Sequence, residues 1–317
     1  MSKLTIHLGG QKCGSSALQG YLFFGRYALA KAGIAYLDRD LGHDMDRAAS
    51  HTAMLARLTE PDAVEWTRAR AGALPWDGEI SDYVLSTEGF CRIRGMSDYA
   101  AALAPFAQFG PVHLVLYVRP QAEVIYSGWQ QWALNDSPEA WIHSALARGF
   151  ANWRRVWETW RAAFPDARFD VRVFDRALFE GGDIVTDFRA LTGWPAVTPR
   201  KQGGANPTFD DLTAMAIREV AQRRGMEPTT LCVSMKKAGV DLPRARDNLV
   251  FSPDAVARIR DHYAEDNAAF AAAAGLSETA TARLMEPRIA PFQEGPLDPT
   301  QLSEKITLVE AALDAMG

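Results

Sequence analysis

Cysteine is scarce in this 317-residue chain: Cys13, Cys91 and Cys232 are odd in number and show no C-x-x-C spacing. That excludes a closed disulfide framework and a structural zinc site built on paired thiolates. Reduced thiols suit a cytoplasmic protein, which is the expectation. Long apolar runs are missing as well. No stretch approaches the ~18 residues that a membrane-spanning helix needs, so no integral membrane segment is expected. The first apolar segment, LTIHLGG, lacks the charged flank and small-residue cleavage site of a secretory signal, and export is not expected. A basic excess is also absent, since 34 Lys and Arg stand against 39 Asp and Glu for a net charge of −5. Without a global positive field, nucleic acid is not an expected partner, and any anionic ligand must be held by a local site.

What is present is a core. Hydrophobic residues make up 48% of the chain and aromatics 10%, enough for a folded globular protein rather than a disordered one. Residues 3–9 (KLTIHLG) predict a short strand, and Ser15 to Gly33 carries helical periodicity with Gly33 as its stop. IAYL at 34–37 predicts a second strand, DYVLSTEGF at 82–90 a strand running into a turn, and 97–108 a helix. VHLVLYV at 112–118 is apolar throughout, as expected of a strand covered on both faces. Helix-like segments follow to Phe164, then a strand at 168–174, and helical patterns dominate from 183 to a last helix at 302–315. Alternating strands and helices predict an α/β protein with a central parallel sheet and a largely helical C-terminal region. One domain is expected over residues 1–285, with helical insertions at 38–80 and 226–251, followed by a C-terminal extension at 286–317.

The stretch HLGGQKCGSSALQ, His7 to Gln19, joins the first strand to the first helix. Its Gly9, Gly14 and Ser16 fall on the glycines and hydroxyl of the phosphate-loop pattern G-x-x-x-x-G-K-[ST]. The lysine position, however, holds Ser15, and Lys12 lies three residues earlier. A glycine loop between a buried strand and a helix turns backbone N–H groups and the positive helix end toward one point, which suits an anion. A glycine-rich turn that binds nothing is the alternative. Magnesium-dependent phosphate chemistry has weak support, because the strands end in Thr87-Glu88 and Arg119 rather than in an Asp.

The second informative stretch is YVRPQAEVIYSGWQQW, 117–132. A buried strand delivers Arg119 to the sheet edge where ligands bind in open α/β folds. Its planar fork of donors can hold two oxygens of a phosphate, and Ser127, eight residues on, can add a hydroxyl. An ion pair between Arg119 and a carboxylate such as Glu123 is the alternative.

As a pair, these stretches resemble the sulfotransferases that use 3′-phosphoadenosine 5′-phosphosulfate (PAPS), particularly bacterial and carbohydrate-directed members. The family's 5′-phosphosulfate loop follows K-x-G-[ST]-[ST], occupied here by Lys12, Gly14, Ser15 and Ser16 and followed by Leu18-Gln19. Its 3′-phosphate motif is an arginine after a strand with a serine eight residues later, as at Arg119 and Ser127. YVLSTEGF, NPTFD at 206–210 and HYAEDNAAF at 262–270 also look like family segments, so the resemblance covers residues 4–270. Serines stand where threonine is common, and Pro120 follows the arginine where an acid is frequent, but both changes keep the needed groups. The adenine-side loop is not recognisable; Arg200, Lys201 and Gly203 are candidates for part of it, with a solvated connection as the alternative.

The resemblance implies a P-loop-like three-layer α/β/α fold and transfer of a sulfuryl group from PAPS to a hydroxyl of a small-molecule, carbohydrate or glycolipid acceptor, releasing 3′-phosphoadenosine 5′-phosphate (PAP). No metal is required. Lys12 would stabilise the leaving phosphate, with Gln11, Cys13, Gly14, Ser15 and Ser16 around its oxygens, while Arg119 and Ser127 would hold the 3′-phosphate. Family members use His or Glu as the base. Glu88 is the first candidate, since its strand ends at the same sheet edge; capping the next turn or pairing with Arg92 is the alternative. His51 is the reserve base, and it and His43 lie where an acceptor pocket is expected, unless they are ordinary surface histidines. His7 is expected to pack in the sheet, and His113 stands ~20 Å of extended chain before Arg119. Trp129, Trp132, Trp153, Trp157 and Trp160 have the helical spacing of buried faces. The acceptor and the oligomeric state are not legible, and a kinase or NTPase with a degenerate loop, or a non-catalytic nucleotide-binding protein, stays open.

Overall fold

The computed structural model describes residues 2–47, 51–198, 209–242, 248–295 and 297–316. Five strands, β1 (Lys3–Leu8), β2 (Ile34–Tyr36), β3 (Asp82–Thr87), β4 (Val112–Val118) and β5 (Arg168–Val173), form a parallel sheet in the order β2-β3-β1-β4-β5. The helices are α1 (Ser15–Lys31), α2 (Ala63–Gly72), α3 (Met96–Leu103), α4 (Gln121–Trp132), α5 (Pro138–Ala147), α6 (Trp153–Ala163), α7 (Ile184–Thr192), α8 (Asp211–Arg223), α9 (Pro228–Lys237), α10 (Pro253–Ala273), α11 (Glu278–Met285) and α12 (Pro299–Met316). None of the described helices is long and apolar enough to cross a membrane.

The chain forms two compact units, one of Met1–Arg119, Ala151–Ala205 and Glu265–Met285, the other of Pro120–Phe150, Asn206–Ala264 and Glu286–Gly317. Met285, where the sequence predicts a domain end, is one of the points at which the chain passes between them.

The first unit contains the whole sheet. Every residue of β3 and β4 is buried, as the largely apolar run of β4 leads one to expect, and β3 buries Asp82, Ser86 and Thr87 along with its apolar centre. Side chains of a strand alternate between faces, so Leu4, Ile6 and Leu8 of β1 fill one face while Thr5 and His7 point to the other, where the His7 ring meets Phe188 of α7. Each fully buried aliphatic side chain of this kind stabilises the fold by about 1.5–3 kcal/mol. Helix α1 buries Leu18, Tyr21, Leu22, Gly25 and Leu29, a stripe at helical spacing, and Gly33 ends the segment at a φ of 78°. At the N-terminal edge of the sheet, Asp82 accepts from Thr5 Oγ1 at 2.9 Å and from Trp194 Nε1 at 2.7 Å, and pairs with Lys3 Nζ at 3.3 Å. Burial raises this carboxyl to about 6, against the opposing pull of Lys3 and its hydrogen bonds.

Strand order places the functional edge. From β1 the chain turns toward β2 and β3, whereas from β4 it goes to β5 on the other side. The crevice outside the C-terminal ends of β1 and β4 is therefore the switch point at which open α/β sheets bind ligands. The loop after β1 and Arg119 after β4 meet there.

The second unit is helical. Ile125 and Trp129 of α4, Ile217 and Val220 of α8, Leu231 and Met235 of α9, and Val309 of α12 share its core. Asp211, fully buried, is held by Tyr126 Oη at 2.9 Å, Gln130 Nε2 at 2.7 Å and the Leu249 N–H at 2.8 Å.

Candidate functional site

The loop between β1 and α1 is shaped by glycines whose side chains would collide with the fold. A Cβ on Gly10 would lie 2.2 Å from the Tyr117 carbonyl oxygen, and one on Gly9 would lie 2.9 Å from the Glu88 nitrogen. Gly9 N–H donates to Thr87 O at 3.1 Å, so the loop is docked on the end of β3. Lys12 takes the left-handed conformation with φ 60°, and Gly14 repeats it with φ 78°. Holding a lysine there costs about 1–2 kcal/mol, strain of the kind that concentrates at ligand sites.

The start of α1 is electrostatically open. Its N-cap, Gly14, offers no side-chain hydrogen bond, and no acid lies in the first turn. Helices α2, α3 and α4 likewise lack a side-chain cap, whereas Ser137, Asn152, Asp183, Asp210 and Glu227 cap α5, α6, α7, α8 and α9. Ser15 is buried and its hydroxyl donates to Gly10 O at 3.1 Å, whereas Ser16 is exposed at the helix mouth. Gln11 is 7% exposed and its Oε1 has no hydrogen-bond partner; turning the amide over would present its NH2 at the same point. Cys13 is buried and free of any disulfide.

Arg119 joins this loop from β4. Its Nη1 donates to Lys12 O at 3.3 Å, and its guanidinium lies 5.7 Å from the Phe174 ring centre. The same ring lies beneath Gly14, where a Cβ would come within 2.6 Å of Phe174 Cε2. Glu123, the carboxylate offered to Arg119 by sequence proximity, is in the second unit and accepts from the Arg288 N–H at 2.7 Å. Ser127 is half-buried on α4 of that unit.

Glu88 opens the turn after β3. Thr87, not Glu88, caps that turn, accepting from Gly89 N at 3.1 Å. The Glu88 carboxylate is half-buried. Burial raises its pKa, while the charges of Lys12 and then Arg92 pull it down. A carboxylate whose pKa is raised by burial is a stronger base than a solvated one.

The histidines separate by location. His51 is not on the surface: it is fully buried, accepts from Ser86 N–H on Nδ1 at 2.9 Å and lies 2.7 Å from Leu37 O through Nε2. Burial lowers its pKa despite those backbone bonds. With both nitrogens engaged by backbone, it has none left for proton transfer. His43 is exposed. His7 is buried in the sheet with Nδ1 2.8 Å from Ser86 Oγ, and burial lowers it to about 3. His113 Nε2 lies 2.8 Å from Asp170 Oδ2. Arg200, Lys201 and Gly203 lie outside the described residues.

The tryptophans hold more than the packing expected of them. Trp153 Nε1 donates to Arg119 O at 2.7 Å, and Trp160 Nε1 donates to Phe90 O at 3.1 Å. Seven residues apart, two turns of one helix, they clamp the backbone at the ends of both β4 and β3. Their spacing was visible in the sequence; the targets of their N–H groups were not. Trp129 is buried in the second unit's core, while Trp132 and Trp157 are half-buried. Among the described residues, no group of three or more His, Cys, Asp or Glu is set to hold a metal ion.

No family model matches the chain. An uncharacterized protein of Archaeoglobus fulgidus is 27% identical over 116 residues, which is 36% of this chain and 32% of that protein. The similarity thus spans about a third of that relative's length.

Proposed function

We propose that this protein is a PAPS-dependent sulfotransferase acting on a hydroxyl acceptor. One observation carries the reading: Lys12, Arg119, Glu88 and the uncapped start of α1 converge at the switch point of a parallel sheet, the lysine inside the loop rather than at its end. The donor's anionic bridge is assigned to this loop because side chains at Gly9 and Gly10 would collide with the fold, and the buried Gln11 amide, turned over, would offer its NH2 where Oε1 is unsatisfied. The backbone N–H groups at residues 14–16 and the hydroxyl of Ser16 would hold the 5′-phosphate oxygens. Arg119 would hold the 3′-phosphate, and Arg200 and Lys201 are candidates for the adenine side.

Catalysis would rest on positioning and charge, as in loose phosphoryl transfer. The acceptor oxygen attacks sulfur in line, the bond from sulfur to the bridging oxygen breaks, and the acceptor proton passes to Glu88. Lys12 offsets the charge that develops on the departing phosphate, leaving PAP and the sulfate ester. Small alcohols, carbohydrates and glycolipids are the acceptor classes to be screened.

The test is thermal stabilisation by PAP, adenosine 5′-phosphosulfate and Mg-ATP at equal concentrations. A ligand at 100 times its Kd stabilises the folded state by about 2.7 kcal/mol. Metal-independent protection by PAP above the other two is expected; preference for Mg-ATP would transfer the site to a kinase or NTPase. PAP binding with no turnover on any acceptor class would favour a nucleotide-binding protein.

A further inference from the structure

The edge of the sheet beside Glu88 has an irregular rung. Tyr36 is in register with Val84, and Leu37 N–H donates to Val84 O at 3.1 Å, so a continued parallel ladder would next join Ser86 N–H to Leu37 O. The imidazole of His51 stands in that bond. Ser86 N–H donates to Nδ1 at 2.9 Å, and Nε2 faces Leu37 O at 2.7 Å. With its hydrogen on Nε2 the ring donates to Leu37 O and accepts from Ser86 N–H, while Nδ1 also lies 3.2 Å from Ser86 O. An imidazole is wider than a hydrogen bond, so β2 is held away from β3 where the two strands end.

Two further contacts stitch the segment after His51 to the turn that carries Glu88. Thr52 Oγ1 lies 3.1 Å from Thr87 Oγ1. Leu55, 5% exposed, packs so tightly on Gly89 that a Cβ there would lie 2.0 Å from Leu55 Cδ1. Residues 51–55 thus follow residues 86–89 pairwise, with Glu88 alone left unstitched and facing the charge of Lys12.

We propose that His51 is a positioning residue: its neutral imidazole splays β2 from β3, fixes the backbone on which Glu88 is mounted, and sets the 51–55 segment as the wall of the acceptor's entry. This rests on the reading of Glu88 as the base. The donor loop touches this backbone through the Gly9 N–H bond to Thr87 O, while Lys12, Arg119 and the start of α1 lie on the β1 and β4 side of the sheet, so donor binding depends on the rung less than turnover does.

The test uses the full chain and three variants. Glutamine can accept from Ser86 N–H and donate to Leu37 O, whereas leucine can do neither. In His51→Leu, kcat for sulfuryl transfer should fall at least tenfold with PAP affinity unchanged within twofold, and His51→Gln should recover most of the loss. In the wild type, 15N spectra of labelled histidine should show Nδ1 bare and Nε2 protonated at neutral pH. Gly89→Ala, which presses on Leu55, should lower kcat without weakening PAP. A His51→Leu enzyme with kcat within twofold of wild type, or a Gln variant as impaired as Leu, overturns the proposal, as does the opposite tautomer. If no acceptor is sulfated by the wild type, the failed part is the functional reading, and amide exchange decides the rung alone. Exchange that accelerates at 86–89 but not at 14–16 in His51→Leu supports it; equal exchange overturns it.

Discussion

The two ends of one sheet follow opposite rules. At the N-terminal edge, Asp82 is answered by Thr5, Trp194 and Lys3, and Lys3 Nζ also donates to Thr192 O at 3.0 Å. At the C-terminal edge, a lysine is held in a left-handed conformation, a helix starts uncapped, a buried glutamine oxygen is unsatisfied and a carboxylate is partly desolvated. Same strands, same solvent: one end is arranged for its own stability, and the other carries the groups that the proposed donor site would use. Local rules of structure are broken where function is carried.

Substitutions at the two ends should therefore separate rate from stability. The largest expected effect is on turnover at the open end. Glu88→Gln removes the proton acceptor and Lys12→Ala the charge on the leaving group; each should lower kcat by about 10²–10⁴-fold in a sulfuryl-transfer assay, with the melting temperature little changed. Asp82→Ala should do the converse. Removing one member of a buried charged network costs about 3–5 kcal/mol, read by urea denaturation, while PAP affinity of the folded protein stays at the wild-type value. Arg119→Ala should weaken PAP by about 10–150-fold, the worth of a charge-assisted hydrogen bond of ~1.5–3 kcal/mol, and should affect a nucleotide lacking the 3′-phosphate much less. If both nucleotides weaken equally, Arg119 serves the loop through Lys12 O and not the 3′-phosphate. The smallest effect is that of pH. His7, neutral and buried with its pKa lowered to about 3, contributes stability that is complete above the unfolded value of ~6.5 and is lost as pH falls toward 3. Melting curves of wild type and His7→Gln should run parallel above pH 7 and separate in slope below 6.5.

Much of the sheet was legible because parallel strands covered on both faces must be apolar end to end, as VHLVLYV is, and because glycines mark the turns where Gly14 and Gly33 take positive φ. The loop was legible for the same reason: its frame is local in sequence. What depended on distant partners was not. His51 looks like any loop histidine until Leu37 and Ser86 are on either side of it, and Trp153 and Trp160 look like a buried stripe until their N–H groups reach Arg119 and Phe90. Periodicity tells which side chains are buried, but not which carbonyl waits beneath them. The segment expected to form the acceptor pocket is illegible for a further reason: its described residues between 38 and 80 hold two short 3₁₀ turns and α2 but no continuous periodic face.

The position of β1 in the middle of the sheet has a consequence during synthesis. Leu4 pairs with Tyr83 on one side and Val112 on the other, so the strand bearing the glycine loop is made long before either neighbour. At about 5–20 residues per second, the ribosome needs roughly 4–16 s to pass from the end of β1 to the end of β3. Throughout that interval a strand with three buried aliphatics and a half-formed glycine loop has no partner. The nascent chain should bind holding chaperones over this window, and slower translation of residues 9–87 should lower the yield of folded protein more than the same slowing after residue 173.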